Sequence, residues 1–451
     1  MRQTTVTQTK LPPSLPVGIF GGHFLKFRRQ PTEFLTEAAA LGDVSRFRLG
    51  RQPMFFVNHP DLIRDVLVTN AGKFHKGRAL QRMKRILGQG LLTSESEFHL
   101  RQRRLAQPAF HRRRIAGYAA SMVEYGERVS GAWCNGETYD ISEEMMRLTL
   151  YIVAKTLFGA NVEDEADEIG AAMTTLIGAF NYLLLPFSEL LEKLPLPIAK
   201  RIDRAKETID RVIYKIISER RKTGEDTGDL LSILLLAQDE DDGGRMTDEQ
   251  VRDECLTLFL AGHETTANAL TWTWYLLGQN PEIEQKFHAE IDRVLPAKRL
   301  PTFADYADLK YVEAVLAESM RLYPPAWAIG RLAVENHELN NFLVEKGSLV
   351  LLSPFTMHRD RRFWDEPEIF KPERWENLSI KEAGGRFVYF PFGGGVRRCI
   401  GEQFAWTEGV LLLATIGRNW RLRLAPEHKI ALNPLVTLRP KYGMKMNAAR
   451  R

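Results

Sequence analysis

Cys399 is the residue with the clearest chemical use in this chain. It ends the run Phe392-Gly393-Gly394-Gly395-Val396-Arg397-Arg398-Cys399 and is followed by Ile400-Gly401. A cysteine on a glycine-rich loop can approach a flat cofactor, because glycines allow backbone angles that other residues avoid. A thiolate is the most electron-rich axial donor a protein can offer to a haem iron, and its push favours O–O cleavage. Backbone amides of the loop would tune the sulfur by hydrogen bonding, and Arg397 supplies a cation for a propionate at the haem edge. A phosphate-cradling loop is the main rival, but no Gly-Lys-Ser/Thr follows. A lone cysteine is more often a small buried hydrophobe, and that reading suits Cys255, about two turns before Glu264 in the same helical stretch.

A second group is Ala261-Gly262-His263-Glu264-Thr265-Thr266. Glycine in mid-helix costs about 1 kcal/mol against alanine, so its place beside an acid and two hydroxyls in an apolar helix marks a site. His263-Glu264 opens a His-Glu-x-x-His zinc motif, but Ala267 stands at the fifth position and the motif fails. An acid and an alcohol side by side can move protons. Splitting O2 needs two of them, with Thr265 as the donor and Glu264 as its connection to solvent, while Ala261 and Gly262 leave room for oxygen and substrate.

Positioning these groups requires long helices. Thr247-Asp-Glu-Gln250 is a capping box and Asn280-Pro281 a stop, which predicts a helix of about 34 residues, about 50 Å long. Further helices are expected from about Pro60, over Leu309–Leu322, and from Gly401 to Arg418. Strands are expected over Asp43–Leu49, Met54–Asn58, Phe342–Val344, Leu349–Leu352, Trp420–Leu424 and Val436–Met446. The fold class is mainly α with a minor β region.

Glu318 and Arg321 stand one helical turn apart among apolar neighbours, and Pro372-Glu373-Arg374 supplies a second cation. A buried charge must be paired. His99 and Arg103 also lie one turn apart on one helix face.

Five patterns together resemble the cytochrome P450 family, in family order from about Leu11 to the C-terminus. Phe-x-x-Gly-x-Arg-x-Cys-x-Gly has every fixed position filled by Phe392, Gly395, Arg397, Cys399 and Gly401. Ala-Gly-x-Asp/Glu-Thr is complete at Ala261–Thr265. Glu-x-x-Arg matches Glu318 and Arg321, and Pro-Glu-Arg brings Arg374. Trp/His-x-x-x-Arg matches His99 and Arg103.

The resemblance implies haem b (iron protoporphyrin IX) on Cys399, with Phe392, Gly393 and Gly401 shaping its loop. It implies His99, Arg103 and Arg397 at the propionates, with Arg331 a looser match. It also implies Glu264 and Thr265 as the catalytic pair and Glu318, Arg321 and Arg374 as a structural lock, on a single large domain with the long helix over the haem. Leu92, Ala261, Ala326, Trp327, Ala328, Ile329 and Leu435 are expected to line an apolar substrate cavity.

The chain's 451 residues hold three cysteines, too few for a disulfide framework. Residues 1–16 read as a tail without a signal peptide's apolar core, and 17–451 as one domain. The short stretches Asp239–Gly244 and Glu382–Gly385 read as surface loops. Leu183–Phe187 is too short to span a bilayer, so a soluble, cytoplasmic monomer without a transmembrane anchor is expected.

Net charge is +5, yet Phe98–Val123 contains no acid and six arginines: Arg101, Arg103, Arg104 and Arg112 to Arg114. Without a recognised binding module the run does not indicate nucleic acid. An acidic redox partner fits it better.

The expected activity is monooxygenation of a hydrophobic small molecule of the fatty acid, terpenoid or steroid class. It would use O2 and electrons from a ferredoxin or flavodoxin with its NAD(P)H-dependent reductase. A peroxygenase driven by H2O2, a haem isomerase or dehydratase, and a haem sensor or electron carrier are the competing readings. None of them needs the Glu264–Thr265 pair.

Overall fold

The computed structural model describes residues 11–17, 22–50, 52–183, 196–237 and 244–451. The Leu184–Phe187 stretch, the acidic Asp239–Gly243 and the first ten residues fall outside these. The chain divides into two compact units.

The smaller unit comprises the chain up to Arg78, Trp327–Glu368 and Ile380–Arg398. Its centre is a five-stranded sheet in the order Val44–Leu49, Gln52–Val57, Leu349–Leu352, Ile329–Ala333, Phe74–Lys76. Three of the pairings are antiparallel, and only Gln52–Val57 runs parallel to Leu349–Leu352, with Phe55 opposite Val350. β-Branched and aromatic residues suit such a pleated surface. Val57, Phe74, Val350 and Leu352 pack with Ile63, Leu67 and Phe390 in one apolar cluster.

The cysteine-preceding loop folds back onto this cluster. Gly395 has φ +68°, and a side chain there would collide with the Leu67 carbonyl, so both backbone angle and space demand glycine.

The larger unit holds most of the helices. Its axis is the Asp248–Gln279 helix, 32 residues capped by Thr247 and Gln250 in a reciprocal box. It packs along Ile141–Phe158 and also touches Lys310–Leu322 and Glu402–Gly417. A three-stranded sheet, Thr138–Asp140, Lys445–Arg450 and Trp420–Leu424, closes one side.

The boundaries of the long helix and of the helix after the cysteine lie within one or two residues of expectation. Val436–Met446 is not one strand. Leu432–Pro434 and Leu438–Pro440 form a hairpin, and the chain turns again at Gly443 before Lys445–Arg450 pairs with Trp420–Leu424. Pro440 supplies no amide donor, so the alternation could not continue as an unbroken strand. No described helix is long and apolar enough to cross a membrane.

The helix Glu402–Gly417 carries an acid in its buried interior. Glu408 is fully enclosed, and burial raises its carboxyl from the ordinary 4.5 to about 8, while the neighbouring Thr266 acts in the opposite sense. The folded pKa is the higher one, so the folded state holds this proton more tightly than the unfolded chain does. That contribution is present below about 4.5 and is lost as pH rises through about 8. Glu408→Gln carries no such penalty. Its melting temperature relative to the parent is expected to climb between those two pH values and level off above, as thermal melts across pH would record.

Candidate functional site

The long helix is buried over most of its length, and the break in its middle is informative. Every residue from Val251 to Leu260 and from Thr266 to Trp274 is buried, but Ala261 is exposed and Gly262 and Thr265 are partly so. A helix apolar on all sides belongs in a core. A window at positions i, i+1 and i+4 of such a helix faces a space that protein does not fill.

The two small residues at the window differ in purpose. Ala261 opens it, whereas a side chain on Gly262 would come within 2.9 Å of Val153 Cγ2. Gly262 therefore lets the Ile141–Phe158 helix approach closely, a correction to the expectation that it clears space for oxygen.

Thr265 Oγ1 donates to the Ala261 carbonyl at 2.7 Å, which leaves its lone pairs toward the window. Glu264 is 2% exposed and does not run to solvent as expected. Its Oε1 accepts from Arg439 Nε at 2.6 Å and from the Thr437 hydroxyl. Asn268 also donates to Thr437 Oγ1 at 3.1 Å, and Trp272 Nε1 to the Leu438 carbonyl at 2.9 Å. The C-terminal hairpin is thereby tied to the helix by four hydrogen bonds. Arg439 and Thr437 gave no sign in the sequence, since they lie about 170 residues from Glu264 and belong to no local pattern. Burial holds the neighbouring His263 ring below its ordinary pKa, with Glu264 and Arg439 acting in opposite senses.

Cys399, in the same larger unit, is exposed, and Cys255 is buried with its thiol pushed well up by burial. Cys134 is exposed too, but it sits in the turn after the Arg112–Gly131 helix, where its amide donates to Tyr139 Oη. Arg103 lies near enough to Cys399 for their charges to interact, while burial lowers its guanidinium pKa. His99, one turn earlier in Ser96–Ala106, is buried with Nδ1 3.3 Å from Ser94 Oγ. An exposed thiol beside a half-buried guanidinium suits a ligand that needs both a metal donor and an anion partner. These residues therefore fit a haem-thiolate group.

Leu92, Ala326 and Leu435 are half-buried, as an apolar lining requires, and Ala261 is the most open of the four.

The lock residues meet inside this unit. Glu318 and Arg321 are both 0% exposed. Arg321 grips Glu318 with Nε at 2.9 Å and Nη2 at 2.8 Å, and Arg374 Nε reaches Oε1 at 2.8 Å. Trp375 Nε1 and the Lys371 amide, neither anticipated, complete the shell at 3.1 Å each.

In the smaller unit Arg397 donates to the Phe74 carbonyl at 2.7 Å, and Arg331 is buried in the sheet with Nη1 3.1 Å from the Gly330 carbonyl. Phe392 and Gly393 are half-buried, the latter at φ +70°. Ala328 and Ile329 are half-buried, but Trp327 is 7% exposed, its carbonyl taken by Ser353 Oγ at 2.7 Å. Gly401 caps the helix that follows Cys399 in the larger unit.

The cytochrome P450 family model matches residues 12–446. Cyclooctatin synthase of Streptomyces melanosporofaciens is 42% identical over 434 residues, 95% of this chain and 93% of that protein. Cyclooctat-9-en-7-ol 5-monooxygenase of the same organism is 38% identical, covering 90% of this chain and 88% of the relative. Pentalenene oxygenase of Streptomyces avermitilis is 34% identical, covering 97% and 96%. The chain belongs to the cytochrome P450 family and is a monooxygenase of that family. Membership brings a haem-thiolate cofactor, O2, a hydrophobic substrate and a redox partner.

Removing Glu318 would take away the buried carboxylate that both arginines grip. Glu318→Ala is expected to cost about 3–5 kcal/mol in denaturant unfolding. Glu373 lies in the same region but pairs near the surface with Lys286 and Tyr311. Glu373→Ala should cost no more than about 1 kcal/mol.

Proposed function

We infer that this chain uses haem b to hydroxylate or epoxidise a terpenoid, with electrons from a ferredoxin or flavodoxin. The window at Ala261, Gly262 and Thr265, in a helix otherwise buried, is the observation that carries this reading. When bound, the haem supplies reductive activation of O2, one atom passing to substrate and the other leaving as water.

Cys399 would hold the iron, and His99, Arg103, Arg331 and Arg397 are the residues that would serve its propionates, as the family resemblance implies. Thr265 presents its hydroxyl at the window, and turning about χ1 releases the proton now held at the Ala261 carbonyl. Glu264 acts from a fixed position, because Arg439 and Thr437 hold one of its oxygens. That restraint orients the acid beside the alcohol, and positioned proton donors are worth about 10²–10⁴-fold.

The substrate class rests on the relatives, whose names specify cyclooctatin, cyclooctat-9-en-7-ol and pentalenene. Apolar Leu92, Ala326 and Leu435 suit such a ligand, and none of the three carries an anchor for a carboxylate. A redox partner of acidic surface suits Arg104 and Arg112, both exposed. Arg101 serves less well than expected, being half-buried with Nη2 3.4 Å from the Gly244 carbonyl.

Two outcomes test this. Polycyclic terpene alcohols and hydrocarbons should shift the Soret band of the ferric protein and yield oxygenated products with NADPH, ferredoxin and reductase. A panel in which fatty acids shift the band and terpenoids do not would overturn the substrate class. In Thr265→Ala, product formation should fall at least about tenfold while NADPH oxidation continues, the difference appearing as H2O2. Unchanged coupling would remove Thr265 from the proton path.

A further inference from the structure

A cavity of about 610 Å³ lies in the larger unit, away from the long helix's window, and its lining is strongly basic. Arg113, Arg114, Lys155 and Arg220 contribute cations, and Asp229 is the acid among them. Arg220 and Asp229 neutralise each other through two bonds of 2.8 Å, Nη1 to Oδ1 and Nη2 to Oδ2. Arg220 is further committed to Thr227 Oγ1, at 2.7 Å, and to the Phe158 carbonyl. Its role is to hold the cavity wall. Arg113, Arg114 and Lys155 remain, and among the described residues none of the three forms an ion pair.

Their placement is electrostatically unfavourable as it stands. Arg113 and Arg114 sit in the first turn of the Arg112–Gly131 helix, and that turn contains no acid. The N-terminus of a helix is its positive end, where anions stabilise and cations do not. The Arg114 guanidinium also lies directly over Gly228, where any side chain would displace it.

Tyr118 gives an independent sign. It lines the same cavity and is 8% exposed, and its buried hydroxyl has no hydrogen-bond partner among the described residues. A buried polar group without a partner is costly and calls for an explanation. Burial, with Asp229 adding to it and Arg114 opposing, pushes the phenol up to about 12. The hydroxyl therefore keeps its proton at neutral pH and is available as a donor.

We propose that this cavity binds a small molecule bearing a phosphate or diphosphate group, held by Arg113, Arg114, Lys155 and the Tyr118 hydroxyl. The reading goes beyond monooxygenation and does not rest on it. Guanidinium forks match phosphate oxygens in pairs. A phosphate carries about −1.5 to −2 charges at pH 7, so a diphosphate balances three cations where one carboxylate would not. The volume lies within the roughly 300–1,000 Å³ of small-molecule sites, leaving space for an organic group beyond the phosphates. The Tyr118 ring packs 6.0 Å from that of Phe404, in the helix that follows Cys399, so an occupant would also brace that helix.

The test titrates inorganic diphosphate, and separately ADP, into the haem-loaded full chain in buffered KCl, followed by calorimetry and by melting temperature. Saturable binding with a rise in melting temperature is expected. It should weaken at least about tenfold in Arg113→Gln/Lys155→Gln and measurably in Tyr118→Phe, which keeps the ring in place. Arg112→Gln, on the same turn but outside the cavity, should bind as the parent does. Absence of saturation, or equal weakening in Arg112→Gln, would overturn the proposal by reducing it to diffuse charge. If diphosphate fails to saturate while Arg113→Gln/Lys155→Gln slows reduction by an acidic ferredoxin, the surface belongs to protein docking and the small-molecule site is likewise overturned.

Discussion

A helix of 32 residues that is buried on nearly every side depends on protein rather than water to answer the polar groups along it. Much of the larger unit is organised by that constraint. Thr271 and Thr273 return their hydroxyls to carbonyls one turn back, at 2.7 Å each. Thr149, from the neighbouring helix, donates across to the His263 carbonyl at 2.9 Å. Asn268 and Trp272 reach the C-terminal hairpin. In the middle of the helix the wall opens at Ala261, Gly262 and Thr265, where the proposed chemistry would have its place.

The buried acids of this unit follow three different solutions to one problem. Glu318 is ionic and saturated, with two guanidinium groups, an indole and an amide around it. Glu264 has one guanidinium and one hydroxyl, enough to fix it without enclosing it in charge. Glu408 has no cation beside it among the described residues and is held protonated by burial instead. The gradation matches use. A carboxylate that only braces the fold gains from complete satisfaction, and Glu264, proposed to act beside Thr265, is held by fewer partners.

Much of the site was legible in the sequence because its chemistry is written in short spacings. The cysteine loop, the acid–alcohol pair and the Glu318–Arg321 turn are each contained in a few residues, where helical periodicity and glycine placement have direct meaning. The long helix was equally clear, since its capping box and its Asn-Pro stop are local signals. What escaped was long-range or hidden by composition. Arg439 comes to Glu264 from a hairpin read as part of one strand. Gly262 looked like a clearance for ligand but serves helix packing against Val153. Arg101 looked like one of a solvated basic run and is half-buried. The cavity at Arg113, Arg114, Lys155 and Tyr118 draws on three helices and a loop that no spacing rule connects.

Residue types and near-neighbour spacing by themselves determined the haem-thiolate family and the mainly helical class, and singled out the Glu264–Thr265 pair as the candidate for proton handling, because each depends on geometry within one or two turns of chain. Tertiary structure alone decided which charges neutralise which, which glycine answers to packing, and which of the arginines remain without a counter-ion. Those outcomes depend on desolvation and on partners more than a hundred residues away. Coulomb energy and burial act through space, and the order of residues along the chain does not reveal them.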